Sequence, residues 1–149
     1  MSGMSSSRIR ALAICVFMNE GRILVNEALD PVKNERFCRP LGGGIEFGET
    51  GAQAVLRELR EEIDAQVCNL RFLGALENIF TYLGEPGHEI VLVYDGELVD
   101  DALYRVDVIA GVESDGAPFQ ASWRRLDEFC EGLALYPDGL LRLLRSVQP

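Results

Sequence analysis

Glu58, Glu61 and Glu62 are spaced three and four residues apart, which brings three carboxylates to one side of an α-helix. Like charges so placed oppose helix formation by roughly 0.2–0.5 kcal/mol per pair. They also fall in the C-terminal half of the helix, where its dipole disfavours anions. Stability alone gives little reason to gather acids there. A hard divalent cation would turn the repulsion into coordination, and carboxylate oxygens suit Mg²⁺ or Mn²⁺. The plain alternative is a solvated acidic face, and the three glutamates by themselves do not exclude it.

The helix that carries them is the clearest in the chain. Thr50 is a good N-cap, and Gln53 stands three residues on, as in a capping box. Ala52, Val55, Leu56, Leu59 and Ile63 follow at helical spacing, so one stripe is expected to face a core with the glutamates opposite. Before the helix, Arg8–Asn19 and Arg22–Asn26 read as two strands of a hairpin around Asn19-Glu20-Gly21. Glu27 to Glu35 reads as a surface loop, and Phe37–Leu41 as a short strand entering Gly42-Gly43-Gly44. Beyond the helix, Val67–Thr81 and Glu89–Leu98 carry strand formers and flank a polar loop, Tyr82 to His88. Ala110–Pro118 reads as loop, Phe119–Arg124 as a final strand, and Leu140, Leu141, Leu144 and Val147 as an amphipathic terminal helix. Strands, one central helix, more strands and a last helix indicate a mixed α/β domain. The expected division is a short tail over 1–7 and a single domain over 8–149.

With 149 residues, 48% hydrophobic and 26% charged, the composition is that of a globular domain. The longest apolar run, Ala11–Met18, is far short of a bilayer span. Met1–Ser7 lacks the charged-then-apolar layout of a secretory signal, so a cytoplasmic location is expected. Asp and Glu outnumber Lys and Arg 24 to 14, for a net charge of -10. Such a chain is repelled by extended nucleic acid and by anionic membranes. A phosphorylated ligand would need a local cation or arginine to offset that field. Cys15, Cys38, Cys68 and Cys130 have neither zinc nor Cys-x-x-Cys spacing and are expected to be reduced and mostly buried.

Placed in a longer string, the glutamates become specific. Gly43, five residues, Glu49, seven residues, then Arg57-Glu58-Leu59-Arg60-Glu61-Glu62 resembles the signature box of the Nudix hydrolases. The departure is Asp64 where the family has glycine, followed by Ala65 at an apolar position. That glycine ends the helix in a left-handed conformation, which aspartate tolerates better than most residues. Altered helix-end stability with intact catalytic geometry is therefore expected. Outside the box, Trp123 followed by Leu126-Asp127-Glu128-Phe129 is similar to the strand-to-helix ending common in the family.

The resemblance implies an α/β/α sandwich around a mixed sheet, with a catalytic loop–helix unit. It implies Mg²⁺-dependent (or Mn²⁺-dependent) hydrolysis of a pyrophosphate linkage, in a nucleoside diphosphate joined to another moiety or in a nucleoside triphosphate. Glu58, Glu61 and Glu62, with the backbone carbonyl near Gly42, become the expected metal ligands. Arg57 is expected to orient a box carboxylate, and Glu49 to hold the loop against the helix, where it also favours the helix N-terminus. The general base is either a box glutamate or one of Glu77, Glu85 and Glu89, the last beside His88, the only histidine. Arg39 and Glu89 are candidate substrate contacts, and Phe80, Tyr82 and Tyr136 candidates to stack on a base; each also has an ordinary surface or core explanation. No basic stretch interleaved with aromatics marks a long RNA ligand. The expected partner is a small phosphorylated nucleotide, with no membrane, and pairing into a homodimer is left open. Two other readings stand beside the hydrolase. One is a non-catalytic nucleotide-sensing module, which would ordinarily lose box carboxylates. The other is isoprenoid diphosphate isomerisation, for which Cys38 would be the nominal reactive cysteine.

Overall fold

The computed structural model describes residues 8–147; the tail expected over 1–7 lies outside them. Strand β1 (Ile9–Asn19) is buried on both faces from Ala13 to Phe17. The strand alternation sends Ala13, Cys15 and Phe17 into one core and Ile14 and Val16 into another. A strand covered on both sides has no need of polar alternation, which explains its continuous apolar run. It turns through Glu20 and Gly21, both at positive φ, into β2 (Arg22–Asp30). Strand β3 (Glu35–Arg39) pairs antiparallel with β2, and β4 (Leu41–Gly44) pairs antiparallel with β1. Helix α1 (Gly51–Ile63) follows, then β5 (Val67–Tyr82) and β6 (Glu85–Leu98), an antiparallel ribbon whose inner strand runs parallel to β1. A 3₁₀ turn (Asp101–Tyr104) leads to β7 (Val108–Val112) and β8 (Pro118–Arg125), with β8 paired to β2. Helix α2 (Leu126–Cys130), a short β9 (Ala134–Leu135) and helix α3 (Leu140–Val147) complete the described chain.

The strands form one mixed sheet, β5-β6-β1-β2-β3-β9, with β4 on β1 and β7-β8 on β2. Val55, Leu59 and Ile63 of α1 pack on one side with Phe17, Leu24 and Trp123. Leu126 and Phe129 of α2 and Leu140 and Leu144 of α3 pack on the other with Val16, Ile23 and Val25. This is the α/β/α sandwich expected from the sequence. Among the described residues no helix is long and apolar enough to cross a membrane.

Several boundaries differ from the sequence reading. The segment Glu27–Glu35 is mostly strand, because β2 runs to Asp30 and β3 starts at Glu35. The supposed loop Tyr82–His88 shrinks to a two-residue turn, Leu83-Gly84, with both residues at positive φ. Backbone pairing tolerates the polar side chains there, and Gly87 lets the Phe80 ring lie against the backbone. Ala110–Pro118 likewise contains the end of β7. On α1 the buried stripe includes Gly51 and Ala54, whereas Leu56 is exposed. All four cysteines are free, but only Cys15 and Cys38 are buried; Cys68 and Cys130 are exposed.

Both ends of α1 are built as the local sequence dictates. The Thr50 hydroxyl accepts from the Gln53 amide at 3.1 Å, and the Gln53 side chain accepts from the Thr50 amide at 2.9 Å. Asp64 closes the helix at φ 53°, ψ 41°, in the left-handed region. Glycine there would relieve local strain but enlarge the unfolded ensemble. Asp64→Gly is therefore expected to change stability by less than about 1 kcal/mol and to leave turnover unaltered, as read by denaturant melts and steady-state rates.

Candidate active site

Arg57 ties the glycine-rich loop to α1. Its Nε and Nη2 donate to the two oxygens of Glu49 at 2.8 and 2.9 Å. Nη2 also donates to the Gly44 carbonyl at 2.9 Å, and Nη1 donates to Glu58 at 3.0 Å and Glu61 at 3.2 Å. The bidentate fork matches carboxylate geometry as a lysine ammonium cannot. Glu49 in turn accepts from the Glu46 amide at 3.0 Å, which closes the loop on itself. The Arg57 guanidinium, helped by that amide, holds the Glu49 carboxyl down at about 2.

The three glutamates do not share one environment. Glu58 and Glu62, one turn apart, flank the buried stripe and line a cleft of about 650 Å³. They sit beside the stripe; the solvated face opposite it, where the sequence reading put them, is not their place. Glu61 stands off the cleft lining, with a side chain 58% exposed and paired to Arg57. Gly43 makes room for Glu58: a Cβ there would lie 2.6 Å from the carboxylate carbon and one of its oxygens. Gly43→Ala should therefore displace Glu58 and lower kcat/KM by about a hundredfold or more, with little change in the thermal melt. Steady-state kinetics alongside a melting curve will check this.

Glu62 carries the sharpest signal. Its Oε1 is buried without a hydrogen-bond partner, an expensive state for a carboxylate. Burial, and then the nearby charges of Glu58 and Glu113, push its pKa up to about 8, against the opposing pull of the Gly42 amide and Arg39. Among the described residues no three metal-ligating side chains are already gathered into a cage. A Mg²⁺ site does not require one, because that ion is commonly held by one or two carboxylates together with water and substrate phosphates. An orphaned, hard oxygen within the field of a second carboxylate, which Gly43 leaves room for, fits a divalent cation.

The rest of the cleft gathers some of the sequence candidates and leaves others out. Arg39 lines it, with its guanidinium 5.9 Å above the Phe37 ring. Glu89 lines it too, buried, accepting from Asn78 Nδ2 at 3.4 Å and lying 3.8 Å from Arg10. Phe80, Tyr82 and Tyr136 all line it, and two of them meet Phe37 there, Tyr82 edge-on at 5.9 Å and Tyr136 at 5.3 Å. Glu77, Glu85 and His88 are not among the lining residues. Glu113 is, although the sequence reading passed over it, since it stands in a segment read as loop with no motif around it. Cys38 is buried off the cleft lining, and burial followed by the Glu27 charge pushes its thiol up to about 11. A nucleophilic thiolate is scarce at neutral pH under those conditions, which disfavours the cysteine-dependent isomerase reading.

The model of the NUDIX domain family matches residues 7–143. The chain belongs to the Nudix hydrolase family. Curated Nudix relatives include proteins named "NAD-capped RNA hydrolase NudC" from Mycobacterium bovis and Mycobacterium tuberculosis. Each is 31% identical over 129 residues, covering 80% of this chain and 40% of the relative. The chain thus spans well under half the length of those proteins. Among solved structures, a MutT NUDIX hydrolase from Burkholderia pseudomallei superposes with a TM-score of 0.65 at 22% identity, over 95% of this chain and 100% of that one. A NUDIX hydrolase from Nitrosomonas europaea gives 0.63 at 17% identity, over 93% and 87%. The Nudix box of this chain runs from Gly43 to Ala65, with Asp64 at its one non-consensus position among the charged and glycine residues.

Proposed function

We propose that this Nudix protein hydrolyses a pyrophosphate linkage in a small nucleotide, a nucleoside diphosphate joined to another moiety or a nucleoside triphosphate, with Mg²⁺ or Mn²⁺ as cofactor. The observation that carries the reading is the buried, unpartnered Glu62 oxygen beside Glu58 and the glycine loop. Glu58 and Glu62 would hold the ion, joined by the backbone at Gly42 and, through the substrate side of the cleft, by Glu113. When bound, the ion supplies charge neutralisation on the bridging phosphates and a lowered pKa for the attacking water.

The chain's own residues do the remaining work. Arg57 fixes Glu58 and the Gly44 carbonyl in one frame, with Glu49 as its counterweight. Glu61, paired outward to Arg57, acts by holding that frame. Arg39 offers the cleft a cation to meet a phosphate, which a protein of net charge -10 requires locally. Glu89, steadied by Asn78 and Arg10 in the cleft lining, serves as the candidate general base outside the box. The aromatic far end accepts the planar part of the substrate.

The relatives' name puts NAD, itself two nucleotides joined by a pyrophosphate, beside ADP-ribose, nucleotide sugars, dinucleoside polyphosphates and nucleoside triphosphates as substrates to try. The acidic surface favours the small compounds over a capped RNA chain. A screen of these with Mg²⁺ or Mn²⁺, with products resolved by chromatography, tests the reading. Turnover of at least one that stops on chelation is expected. No turnover of any of them with either ion would contradict it.

A further inference from the structure

Asp30, at the end of β2, is 1% exposed yet carries a carboxylate, and both oxygens are used. Oδ1 accepts from the Val32 amide at 3.0 Å and the Lys33 amide at 3.4 Å, which folds the β2–β3 turn around it. Oδ2 accepts from the Leu83 amide at 3.2 Å, in the β5–β6 turn, 53 residues away in sequence. The β2–β3 and β5–β6 turns belong to opposite arms of the sheet, with β1 between them in the strand order. Asp30 is thus a clasp between two hairpin tips. What it closes is the aromatic end of the cleft: Tyr82 adjoins Leu83, and its ring meets Phe37 edge-on beside Tyr136.

We propose that Asp30 is a specificity-determining positioning residue: by holding the Leu83 amide it keeps the Tyr82 ring edge-on against Phe37, and so fixes the aromatic wall that the nucleobase of the substrate meets. This rests on the nucleotide reading above. A buried carboxylate is an unusual choice where a turn needs only a neutral cap, and its second oxygen is spent entirely on the opposite arm. The ribbon end that it captures is otherwise exposed, with Ile79, Tyr82 and Leu83 all open to solvent. Without the clasp, that tip would sample wider positions, and a stacked ring would lose one wall.

Asp30→Asn keeps the size but only one acceptor oxygen; with that oxygen turned to the two amides of its own turn, Val32 and Lys33, the Nδ2 left facing Leu83 cannot accept from it. Calorimetric binding of AMP and of ribose 5-phosphate, which lacks the base, separates the subsite from the phosphate site. The variant is expected to bind AMP about tenfold more weakly with ribose 5-phosphate unchanged. For a substrate that the wild type turns over, KM should rise about tenfold with kcat within twofold. Tyr82→Ala, at an exposed position, should reproduce the AMP loss. Equal weakening of both ligands, or none, would overturn the proposal. If Asp30→Asn does not fold, hydrogen exchange at the Leu83 amide of the wild type decides: slowing by AMP supports the clasp, and an unchanged rate refutes it. Absence of turnover in the wild type would count against the hydrolase reading alone, since the binding measurements stand without it.

Discussion

Glu62→Gln should lower kcat/KM by about a thousandfold or more and at the same time make the metal-free protein more stable at pH 8. The two effects have one origin. In the folded protein Glu62 titrates near 8, raised by burial and then by Glu58 and Glu113, against 4.5 for a free side chain. Between those values the folded state retains a proton that the unfolded chain has released. Stability therefore falls as pH rises through this window and levels off above 8. Glutamine needs no proton to be neutral, so the variant escapes the penalty. Its advantage should be absent near pH 4.5 and reach on the order of 1–3 kcal/mol above pH 8. Denaturant melts in EDTA at the two ends of the window will measure it. A variant that loses activity with no gain in stability would mean that Glu62 is not a strained ligand awaiting its ion.

Arg57→Lys is the second large effect. One guanidinium makes five hydrogen bonds, to Glu49 twice, Glu58, Glu61 and Gly44. An ammonium has three donors and no planar fork, so at least the bidentate grip on Glu49 is lost. A loss of about a hundredfold in kcat/KM is expected as Glu58 and the loop slip out of register. The independent readout is Glu49 itself. Its carboxyl is held at about 2 chiefly by Arg57, so the stability it lends is present above its unfolded pKa and disappears as pH falls through the folded value. In the variant, its titration followed by NMR should move back up towards 4.5. A Glu49 that still titrates near 2 would show that another group holds it.

These expectations rest on features the sequence displays unevenly. The capping box at Thr50 is local, and so is legible from spacing alone; the family resemblance implied that Arg57 orients a box carboxylate and that Glu49 holds the loop, but that the two pair with each other is seen only in the fold. The place of Glu58 and Glu62 was half legible: helical spacing brings them to one side, but which side depends on how α1 rolls onto β4 and β1. Ala54 in the core and Leu56 in solvent set that roll, and no periodicity within one helix separates the two. The loops misread at Glu27–Glu35 and Tyr82–His88 are polar ribbons whose pairing is settled by the opposite strand. Glu113 and Asp30 were invisible for a related reason, because each matters through partners more than fifty positions away. Phe80, Tyr82 and Tyr136 were legible only as residue types; that all three line one cleft, with Tyr82 and Tyr136 against Phe37, is a property of the sheet.

In the proposed function, Glu62 and its neighbours receive a divalent cation. Calorimetric titration of the purified protein with Mn²⁺ and Mg²⁺, in two buffers of different ionisation heat, tests it most directly. Millimolar or tighter uptake is predicted, with net proton release near neutral pH because Glu62 must lose its proton to coordinate. Uptake should weaken at least tenfold in Glu62→Gln. Saturable binding that releases no protons and is indifferent to Glu62, or no binding at all, would contradict the account.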